Sequence, residues 1–300
     1  MNAQRLDLSP ELSARILHDV PMSEHTSWHV GGPADLFFTP RDVMDLAWFL
    51  RQIPARVPLL WIGLGSNLLV RDGGFRGAVV STHGALASLE RLSATRIQVE
   101  AGVPCARIAR QCIKWGLGPA EFFAGIPGTL GGALAMNAGA WGSETWPHVA
   151  AVAVIDRDGG RRTRTPADYR IGYRSVRGPE NEWFVGATLE FARRPGVSTE
   201  AIRNLLDKRR ESQPIGEWSC GSVFTNPPGE HAARLIESAG LKGCRIGDAS
   251  VSEKHANFII NHGAACAADI ESLIVHVRET VASVHGIVLA TEVRIVGDPA

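Results

Sequence analysis

Two glycine-rich segments constrain the fold of this chain most strongly, because each requires tight turns where a bulky side chain would interfere. Gly63-Leu64-Gly65-Ser66-Asn67 follows an apolar run, and Gly125-Ile126-Pro127-Gly128-Thr129-Leu130-Gly131-Gly132 lies in a stretch with almost no charge. Glycine leaves backbone N–H groups open to an anion, and Ser66, Asn67 and Thr129 can add polar groups. The segments therefore predict a phosphate cradle, or else tight turns and close helix packing.

Neither segment has the spacing of a classical nucleotide motif. Both lack the Gly-x-Gly-x-x-Gly pattern and the lysine of a Walker loop, so Rossmann and P-loop folds are disfavoured. The 31 basic residues balance the 31 acidic ones. No long-range field attracts nucleic acid or an anionic membrane, and we expect local groups to hold any anionic ligand.

The cysteines and the N-terminus bear on the cellular compartment. The five cysteines are odd in number and contain no Cys-x-x-Cys pair, which disfavours a disulfide framework and a zinc site. Residues 1–10 have no apolar core, and no run of about 18 apolar residues occurs. We therefore expect a cytoplasmic protein with reduced thiols and no membrane association.

Hydrophobic periodicity predicts a mixture of helices and strands, with antiparallel pairing in the middle of the chain. Helices are predicted at 42–53, 103–115, 202–209, 230–239 and 270–284, and strands at 59–62, 68–70, 149–155, 161–165, 257–261 and 288–296. Asp158-Gly159 reads as a hairpin turn. In the last strand, alternation predicts that Glu292 and Arg294 share one face. The segment 193–199, with Pro195 and Gly196, reads as a linker.

The chain resembles the UDP-N-acetylenolpyruvoylglucosamine reductase family, also called UDP-N-acetylmuramate dehydrogenase, from about His25 to Ile295. Besides the two glycine-rich segments, blocks in the family's order carry the resemblance: Thr26-Ser27-Trp28-His29-Val30-Gly31-Gly32-Pro33-Ala34, Asn137-Ala138-Gly139-Ala140, Tyr169-Arg170, Gly172-Tyr173-Arg174-Ser175, Gly221-Ser222-Val223-Phe224, Ala239-Gly240-Leu241-Lys242-Gly243, His255-Ala256-Asn257-Phe258 and Glu292-Val293-Arg294. The absence of a long insertion after Arg174 resembles the compact type, without the extra substrate loop.

The resemblance implies an α+β protein. Its FAD-binding fold would be of the vanillyl-alcohol oxidase type, in two subdomains, followed by a C-terminal α/β substrate-binding domain. Together with the linker, this predicts an N-terminal extension over 1–22, an FAD-binding domain over 23–194 with an internal boundary near 85, and a substrate-binding domain over 195–300. It also implies non-covalent FAD, lined by Gly63, Gly65, Ser66, Asn67, Gly128, Thr129, Asn137 and Gly139.

Three catalytic residues are implied by the resemblance. Arg174 would hold the substrate carboxylate, Ser222 would donate a proton, and Glu292 would polarise the same carboxylate as a neutral acid. The residues alone leave plainer roles open: a surface ion pair for Arg174, a turn or helix cap for Ser222, and a pairing with Arg294 for Glu292.

Further substrate contacts are implied at four positions: Tyr173, Asn226, Lys242 and His255. Asn226 precedes Pro227 and could simply form a turn, Lys242 could be solvated, and His255 could end a strand. The chain departs from the family at Thr225, where lysine is common, and at Cys220, where a small residue is usual. The first departure puts a contact to substrate phosphate in question.

The implied reaction is the NADPH-dependent reduction of a UDP-N-acetylglucosamine enolpyruvyl ether to UDP-N-acetylmuramate, in the synthesis of peptidoglycan precursors. NADPH and a UDP-sugar are the expected ligands, with no nucleic acid, and we expect a monomer. Two alternatives stay open at this point: a flavin oxidase that acts on a hydroxyl substrate, and a non-catalytic nucleotide-binding protein. Most of the eight tryptophans, including Trp61, Trp115 and Trp141, are expected to pack in the core.

Overall fold

The structure is a computed structural model that describes residues 8–196 and 198–300. The first seven residues of the predicted extension and Val197 of the predicted linker lie outside that description. The described residues divide into two compact units. Unit 1 contains the described residues up to His18 with Leu36–Leu64 and Gly77–Leu206, and unit 2 contains Asp19–Asp35, Gly65–Arg76 and Asp207–Ala300. The domain limits predicted from sequence stay a prediction.

The helices have the following bounds: α1 Pro10–Ser13, α2 Val43–Gln52, α3 Cys105–Lys114, α4 Leu130–Met136, α5 Thr199–Ser212, α6 Ala232–Ser238 and α7 Ala267–His285. The strands are β1 Leu17–Pro21, β2 Pro33–Phe38, β3 Leu59–Ile62, β4 Leu68–Val70, β5 Phe75–Ser81, β6 Leu89–Arg91, β7 Arg96–Glu100, β8 Leu117–Gly118, β9 Gly139–Ala140, β10 Ser143–Glu144, β11 Val149–Asp156, β12 Arg161–Arg164, β13 Arg170–Gly172, β14 Ser175–Arg177, β15 Glu182–Glu190, β16 Ala192–Arg193, β17 Arg245–Ile246, β18 Ala249–Val251, β19 Ile259–Asn261 and β20 Arg294–Val296.

An antiparallel sheet in the order β12-β11-β15-β7-β6 forms the centre of unit 1. Its apolar face packs against α3 and α4 in one core that includes Ile108 and Leu134. A second core in the same unit gathers α2, β3 and β5 around Phe38 and Phe49, whose rings stack 4.2 Å apart. Strands β3 and β5 run parallel. The described residues of unit 1 therefore form two hydrophobic cores, each with its own helices.

Helix ends in unit 1 follow local sequence signals. Asp42 caps α2 by accepting hydrogen bonds from the N–H groups of Met44 and Asp45, both at 2.8 Å. Gly116 follows α3 with φ +65°, a left-handed conformation that suits glycine and stops the helix. These ends, and the hairpin from β11 to β12, are where the sequence predicts them.

Unit 2 is built on α7, whose buried face packs with α6 and an antiparallel sheet in the order β17-β18-β19. Strand β4 pairs in parallel with β20, so the segment after the first glycine-rich loop lies beside the end of the chain. The Trp28 side chain is fully buried, and its Nε1–H donates to the Ile259 carbonyl oxygen at 2.8 Å.

Three predictions about unit 2 were wrong in detail. Val284 is 56% exposed, because at the last turn of α7 it is His285 that faces α6, with its Nε2 2.9 Å from the Ser238 hydroxyl. The last strand is Arg294–Val296 rather than 288–296. Glu292 therefore lies before the strand, and the predicted shared face of Glu292 and Arg294 does not exist.

The sequence also led to expectations about the cysteines, the tryptophans and membrane-spanning helices. All five cysteines are unpaired thiols. Trp28 and Trp146 are buried, but Trp141 is 38% exposed, so core packing does not account for it. Within the described ranges, none of the helices combines the length and the apolar character needed to cross a membrane.

Candidate active site

Ser222 lies in unit 2 on an irregular segment that is hydrogen-bonded to Asn257. The Asn257 side chain accepts from the Phe224 N–H at 3.0 Å and donates to the Phe224 carbonyl oxygen at 2.8 Å. The backbone carbonyl of Asn257 accepts from the Val223 N–H at 2.9 Å. Gly221, just before the serine, has φ +81° and open space where a Cβ would be. The backbone after the serine is therefore held by hydrogen bonds, whereas the space beside Gly221, before the serine, is open.

Glu292 lies on the segment next to Ser222. Its backbone N–H donates to the Val223 carbonyl oxygen at 2.8 Å, and its own carbonyl oxygen accepts from the Asn67 side-chain amide at 2.9 Å. The Asn67 carbonyl oxygen in turn accepts from the Arg294 N–H at 3.2 Å. Three predicted site residues from distant parts of the sequence are therefore tied together within unit 2.

Cys220 lies close to the Glu292 carboxyl group. Burial raises the pKa of the Cys220 thiol well above its ordinary value, and the charge of Glu292 adds to this effect. The thiol is therefore protonated at neutral pH, and it acts as a small buried side chain beside the glutamate.

The further substrate contacts predicted in unit 2 are Asn226, Lys242 and His255, and each has a partner within the protein. The Lys242 ammonium pairs with the Glu237 carboxylate at 2.7 Å, and the Asn226 side-chain oxygen accepts from the Ala232 N–H at 3.0 Å, at the start of α6. Burial lowers the pKa of His255, and the charge of Lys242 lowers it further. A neutral imidazole is expected there at pH 7. Thr225, in the position of the family's usual lysine, donates its hydroxyl to the Ala290 carbonyl oxygen at 3.3 Å.

Arg174 lies in unit 1 at the tip of the hairpin formed by β13 and β14. Its Nη1 donates to the Asn137 carbonyl oxygen at 3.3 Å, and its Nη2 donates to the Gly139 carbonyl oxygen at 2.9 Å. Arg174 has φ +51°, which is uncommon for a residue other than glycine. Strain of this kind is frequent at functional sites. The guanidinium is therefore held beside two residues predicted to bind the cofactor.

Asn137 organises the pocket beneath that hairpin. It ends α4 with φ +47°, and its side-chain amide donates to Glu144 at 2.8 Å and to the Gly172 carbonyl oxygen at 3.1 Å. Its side-chain oxygen accepts from the Trp146 N–H at 3.1 Å. A pocket of about 350 Å³ opens here, lined by Asn137, Glu144, Trp146, Pro147, Ile171, Gly172 and Tyr173.

In the second glycine-rich segment, residues 125–132, the side chain that best fits a phosphate-bearing cofactor is Thr129. Thr129 is 1% exposed, and its hydroxyl has no hydrogen-bond partner among the described residues. Gly63 packs against it so closely that an added Cβ would lie 2.3 Å from the Thr129 hydroxyl oxygen. A buried hydroxyl without a partner is costly, and a bound ligand would satisfy it.

Several backbone N–H groups of the second glycine-rich segment donate hydrogen bonds within the protein. The N–H groups of Gly128, Leu130 and Gly131 donate to the carbonyl oxygens of Ile126, Val103 and Ala101, respectively. At Gly132 nothing lies within 4 Å of where a Cβ would be, so the backbone is open there. Fewer groups of this segment can therefore bind a ligand than the sequence suggests. The candidates are the Thr129 hydroxyl and the backbone at Gly132.

The sequence-predicted residues fall into two sets, one in each unit. Unit 1 holds Gly63, Gly128, Thr129, Asn137, Gly139, Tyr173 and Arg174. Unit 2 holds Gly65, Ser66, Asn67, Ser222, Asn226, Lys242, His255 and Glu292. Two residues that sequence reasoning did not single out, Glu144 and Asn257, support members of these sets. A buried asparagine in an otherwise apolar strand segment is the signal that could have revealed Asn257.

Comparisons with known proteins match both parts of the chain. Residues 34–164 match the FAD binding domain family, and residues 213–296 match the family described as UDP-N-acetylenolpyruvoylglucosamine reductase, C-terminal domain. The UDP-N-acetylenolpyruvoylglucosamine reductase of Alkalilimnicola ehrlichii is 57% identical over 94% of each chain. The one from Methylococcus capsulatus is 54% identical over 94% of this chain and 93% of that protein.

A solved structure agrees with these matches. The crystal structure of the UDP-N-acetylenolpyruvylglucosamine reductase from Thermus caldophilus matches 94% of this chain and 98% of that chain, with a TM-score of 0.80 and 32% identity. An FAD-binding domain followed by a C-terminal domain of this kind defines a flavin-dependent oxidoreductase. The chain belongs to the UDP-N-acetylenolpyruvoylglucosamine reductase family.

Proposed function

We propose that this protein reduces the enolpyruvyl group of UDP-N-acetylglucosamine enolpyruvate to give UDP-N-acetylmuramate, and that Arg174, Ser222 and Glu292 carry the chemistry. The family supplies the reaction, an FAD-dependent step in peptidoglycan precursor synthesis that uses NADPH. What supports the residue roles is the hydrogen-bonded pairing of the segments that carry Ser222 and Glu292.

Bound FAD would supply the hydride chemistry, connecting oxidation of NADPH to reduction at the terminal carbon of the enolpyruvyl group. The residues proposed to hold it are Gly63, Gly65, Ser66, Asn67, Gly128, Thr129, Asn137 and Gly139. Thr129 is the best supported, because its buried hydroxyl needs a partner. Asn137 and Asn67 contribute by shaping the backbone around them.

Hydride addition to the terminal carbon would leave negative charge on the carbon that bears the carboxylate and on the carboxylate itself, until a proton is added to that carbon. We assign Arg174 to that carboxylate, because a planar guanidinium can donate two parallel hydrogen bonds to it. Its hydrogen bonds to two backbone carbonyls hold the fork in a fixed position. A preorganised donor stabilises developing charge without a reorganisation cost.

Ser222 is assigned as the proton donor to that carbon. A hydroxyl is a weak acid, but the enolate-like species is a strong base, so transfer is feasible when the donor is well positioned. The hydrogen bonds from Asn257 to the flanking residues provide that positioning. Gly221 leaves the approach to the hydroxyl clear.

Glu292 is assigned to the carboxylate end of the substrate as a neutral acid. Glu292 is half-buried, and as a neutral acid its hydroxyl would donate a hydrogen bond to the substrate carboxylate. The remaining contacts, to the UDP-sugar, are assigned to Tyr173, Asn226, Lys242 and His255. We further propose a compact-type monomer that acts in the cytoplasm, where NADPH and sugar nucleotides are available.

Three variants test the roles of Ser222 and Glu292. Flavin reduction by NADPH and flavin reoxidation by the substrate are measured separately. Ser222→Ala should leave flavin reduction by NADPH unchanged and slow flavin reoxidation by the enolpyruvyl substrate by about 10²- to 10⁴-fold, the range for losing a general acid. Glu292→Gln, which stays neutral and can donate, should keep more activity than Glu292→Ala. Stopped-flow flavin absorbance under anaerobic conditions measures both steps. Normal reoxidation in Ser222→Ala would exclude the serine as proton donor.

A further inference from the structure

Arg170 and Arg177 are directly opposite each other on the hairpin that carries Arg174. They are cross-strand partners of β13 and β14, the register being Arg170 with Arg177, Ile171 with Val176, and Gly172 with Ser175. Partners in an antiparallel pair point to the same side of the hairpin and lie roughly 5 Å apart at Cβ. Ile171 and Val176 pack against the core of unit 1, so the two arginines are on the outer face, and both are exposed.

Two like charges in this position oppose hairpin formation. Among the residues that the structure describes, neither guanidinium has a carboxylate partner. Two arginines on other strands of unit 1 do have one: Arg164 pairs with Glu182 at 2.7 Å and Arg96 with Glu190 at 3.0 Å. Arg170 and Arg177 therefore place two positive charges side by side, without a paired carboxylate among the described residues.

This charge is next to the pocket described above. Gly172 and Tyr173, between the two arginines in the hairpin, line the pocket together with Asn137. Arg174 at the tip donates hydrogen bonds to the carbonyl oxygens of Asn137 and Gly139, and these bonds attach the hairpin to the side of the pocket that Asn137 lines. Gly172, which lines the pocket, is two residues from Arg170 and lies on the same face of β13. A long, flexible arginine side chain placed here can extend toward the rim of the pocket.

We propose that Arg170 and Arg177 form a phosphate-binding clamp for a nucleotide ligand of this enzyme. A pair of guanidinium groups about 5 Å apart at Cβ can donate from both sides to one phosphate group. This rests on the proposed function, since both ligands of the reaction carry phosphates. The phosphate is either the diphosphate of the sugar nucleotide or the 2′-phosphate that distinguishes NADPH from NADH.

The test uses the FAD-loaded enzyme and compares Arg170→Gln, Arg177→Gln and the double variant with the wild type. Arg161→Gln is the matched control, because Arg161 is an exposed arginine on another hairpin of the same unit and pairs across the strands with Ile155 rather than with a charge. Flavin reduction is measured at varied NADPH and NADH, and the KM for UDP-N-acetylglucosamine enolpyruvate is measured in turnover.

If the clamp binds the 2′-phosphate, the double variant should raise the half-saturating NADPH concentration by roughly 10-fold or more and leave NADH unchanged. If it binds the diphosphate, the KM for the sugar nucleotide should rise by a similar factor. The double variant should be non-additive, because both arginines contact one group. Its melting temperature should be equal to or above that of the wild type, since repulsion is removed.

Changes no larger than those of Arg161→Gln for all three ligands, in a folded variant, would overturn the clamp. That outcome would leave the proposed reaction intact. A wild-type enzyme that fails to reduce the enolpyruvyl substrate at all would instead refute the proposed function, so the two failures are distinguishable.

Discussion

The side-chain amide of Asn67 donates a hydrogen bond of 2.9 Å to the backbone carbonyl oxygen of Glu292. The two residues are 225 positions apart in the sequence. This bond joins the first glycine-rich loop to the segment that also hydrogen-bonds to Val223, next to Ser222. A glutamate without regular secondary structure of its own is therefore held in a defined place by its backbone.

Asn257 should be the most sensitive support of the Ser222 segment. Asn257→Ala removes one acceptor and one donor from the buried Phe224 backbone, and we expect a loss of about 2 to 3 kcal/mol in the free energy of unfolding. Asn257→Asp should destabilise at least as much at neutral pH, because it places a buried carboxylate oxygen against the Phe224 carbonyl oxygen. Urea unfolding measures both. An Asn257→Ala protein as stable as the wild type would contradict this role.

Substitution by valine should lower the stability of the FAD-free protein at Thr145 but not at Thr129. The buried Thr145 hydroxyl donates to the Ala138 carbonyl oxygen at 2.7 Å, whereas the Thr129 hydroxyl has no partner in the described residues. Thr145→Val should therefore destabilise the FAD-free protein by about 1 kcal/mol, and Thr129→Val should not.

With FAD, the expected effect of Thr129→Val is roughly 10-fold weaker binding, the equivalent of one lost hydrogen bond. Flavin titration of the FAD-free protein, followed by fluorescence, measures this affinity, and thermal unfolding measures the stability of the same samples. Unchanged FAD affinity in Thr129→Val would show that its hydroxyl does not contact the cofactor.

Asp45 should make the free energy of unfolding depend on pH. The Arg15 guanidinium donates to both Asp45 carboxylate oxygens, at 2.5 and 2.7 Å, and holds the pKa of this buried carboxyl group far below its usual range. Because the folded-state pKa is depressed, the contribution is complete above the unfolded pKa of about 3.9 and is lost as the pH falls below it.

Asp45→Asn should therefore cost on the order of 2 kcal/mol at pH 7 and much less near pH 2. Asp35→Asn is the control, since its pairing with Arg76 at 2.8 Å is exposed and should contribute little at either pH. Chemical denaturation at several pH values gives the comparison. An Asp45→Asn difference that stays constant with pH would refute the pairing as its cause.

Local signals in the sequence predict the elements of this fold well where one residue determines the outcome. Gly116 ends a helix because it accepts a positive φ, and Asp42 begins one because its carboxylate caps N–H groups. Periodicity alone fails at Val284 and at the last strand, because those positions depend on neighbours that are distant in the sequence. His285 contacts Ser238, and the segment before Arg294 bonds to Val223 and Thr225.

The candidate site is harder to predict for the same reason. Similarity to a family points to Ser222 and Glu292, but not to the hydrogen bonds of Asn67 and Asn257 that position them. Glycine content suggests a phosphate cradle, yet it cannot show that several of its N–H groups are used within the protein. The opposition of Arg170 and Arg177 becomes visible only when the register of the hairpin is known.

The most direct test of the central claim is flavin reoxidation by the enolpyruvyl sugar nucleotide. The wild-type enzyme is reduced with one equivalent of NADPH without oxygen, mixed with UDP-N-acetylglucosamine enolpyruvate and followed by flavin absorbance. Rapid reoxidation, with formation of UDP-N-acetylmuramate two hydrogen masses heavier than the substrate, is the predicted result. Flavin that stays reduced with this substrate and reoxidises only when oxygen is admitted would contradict it.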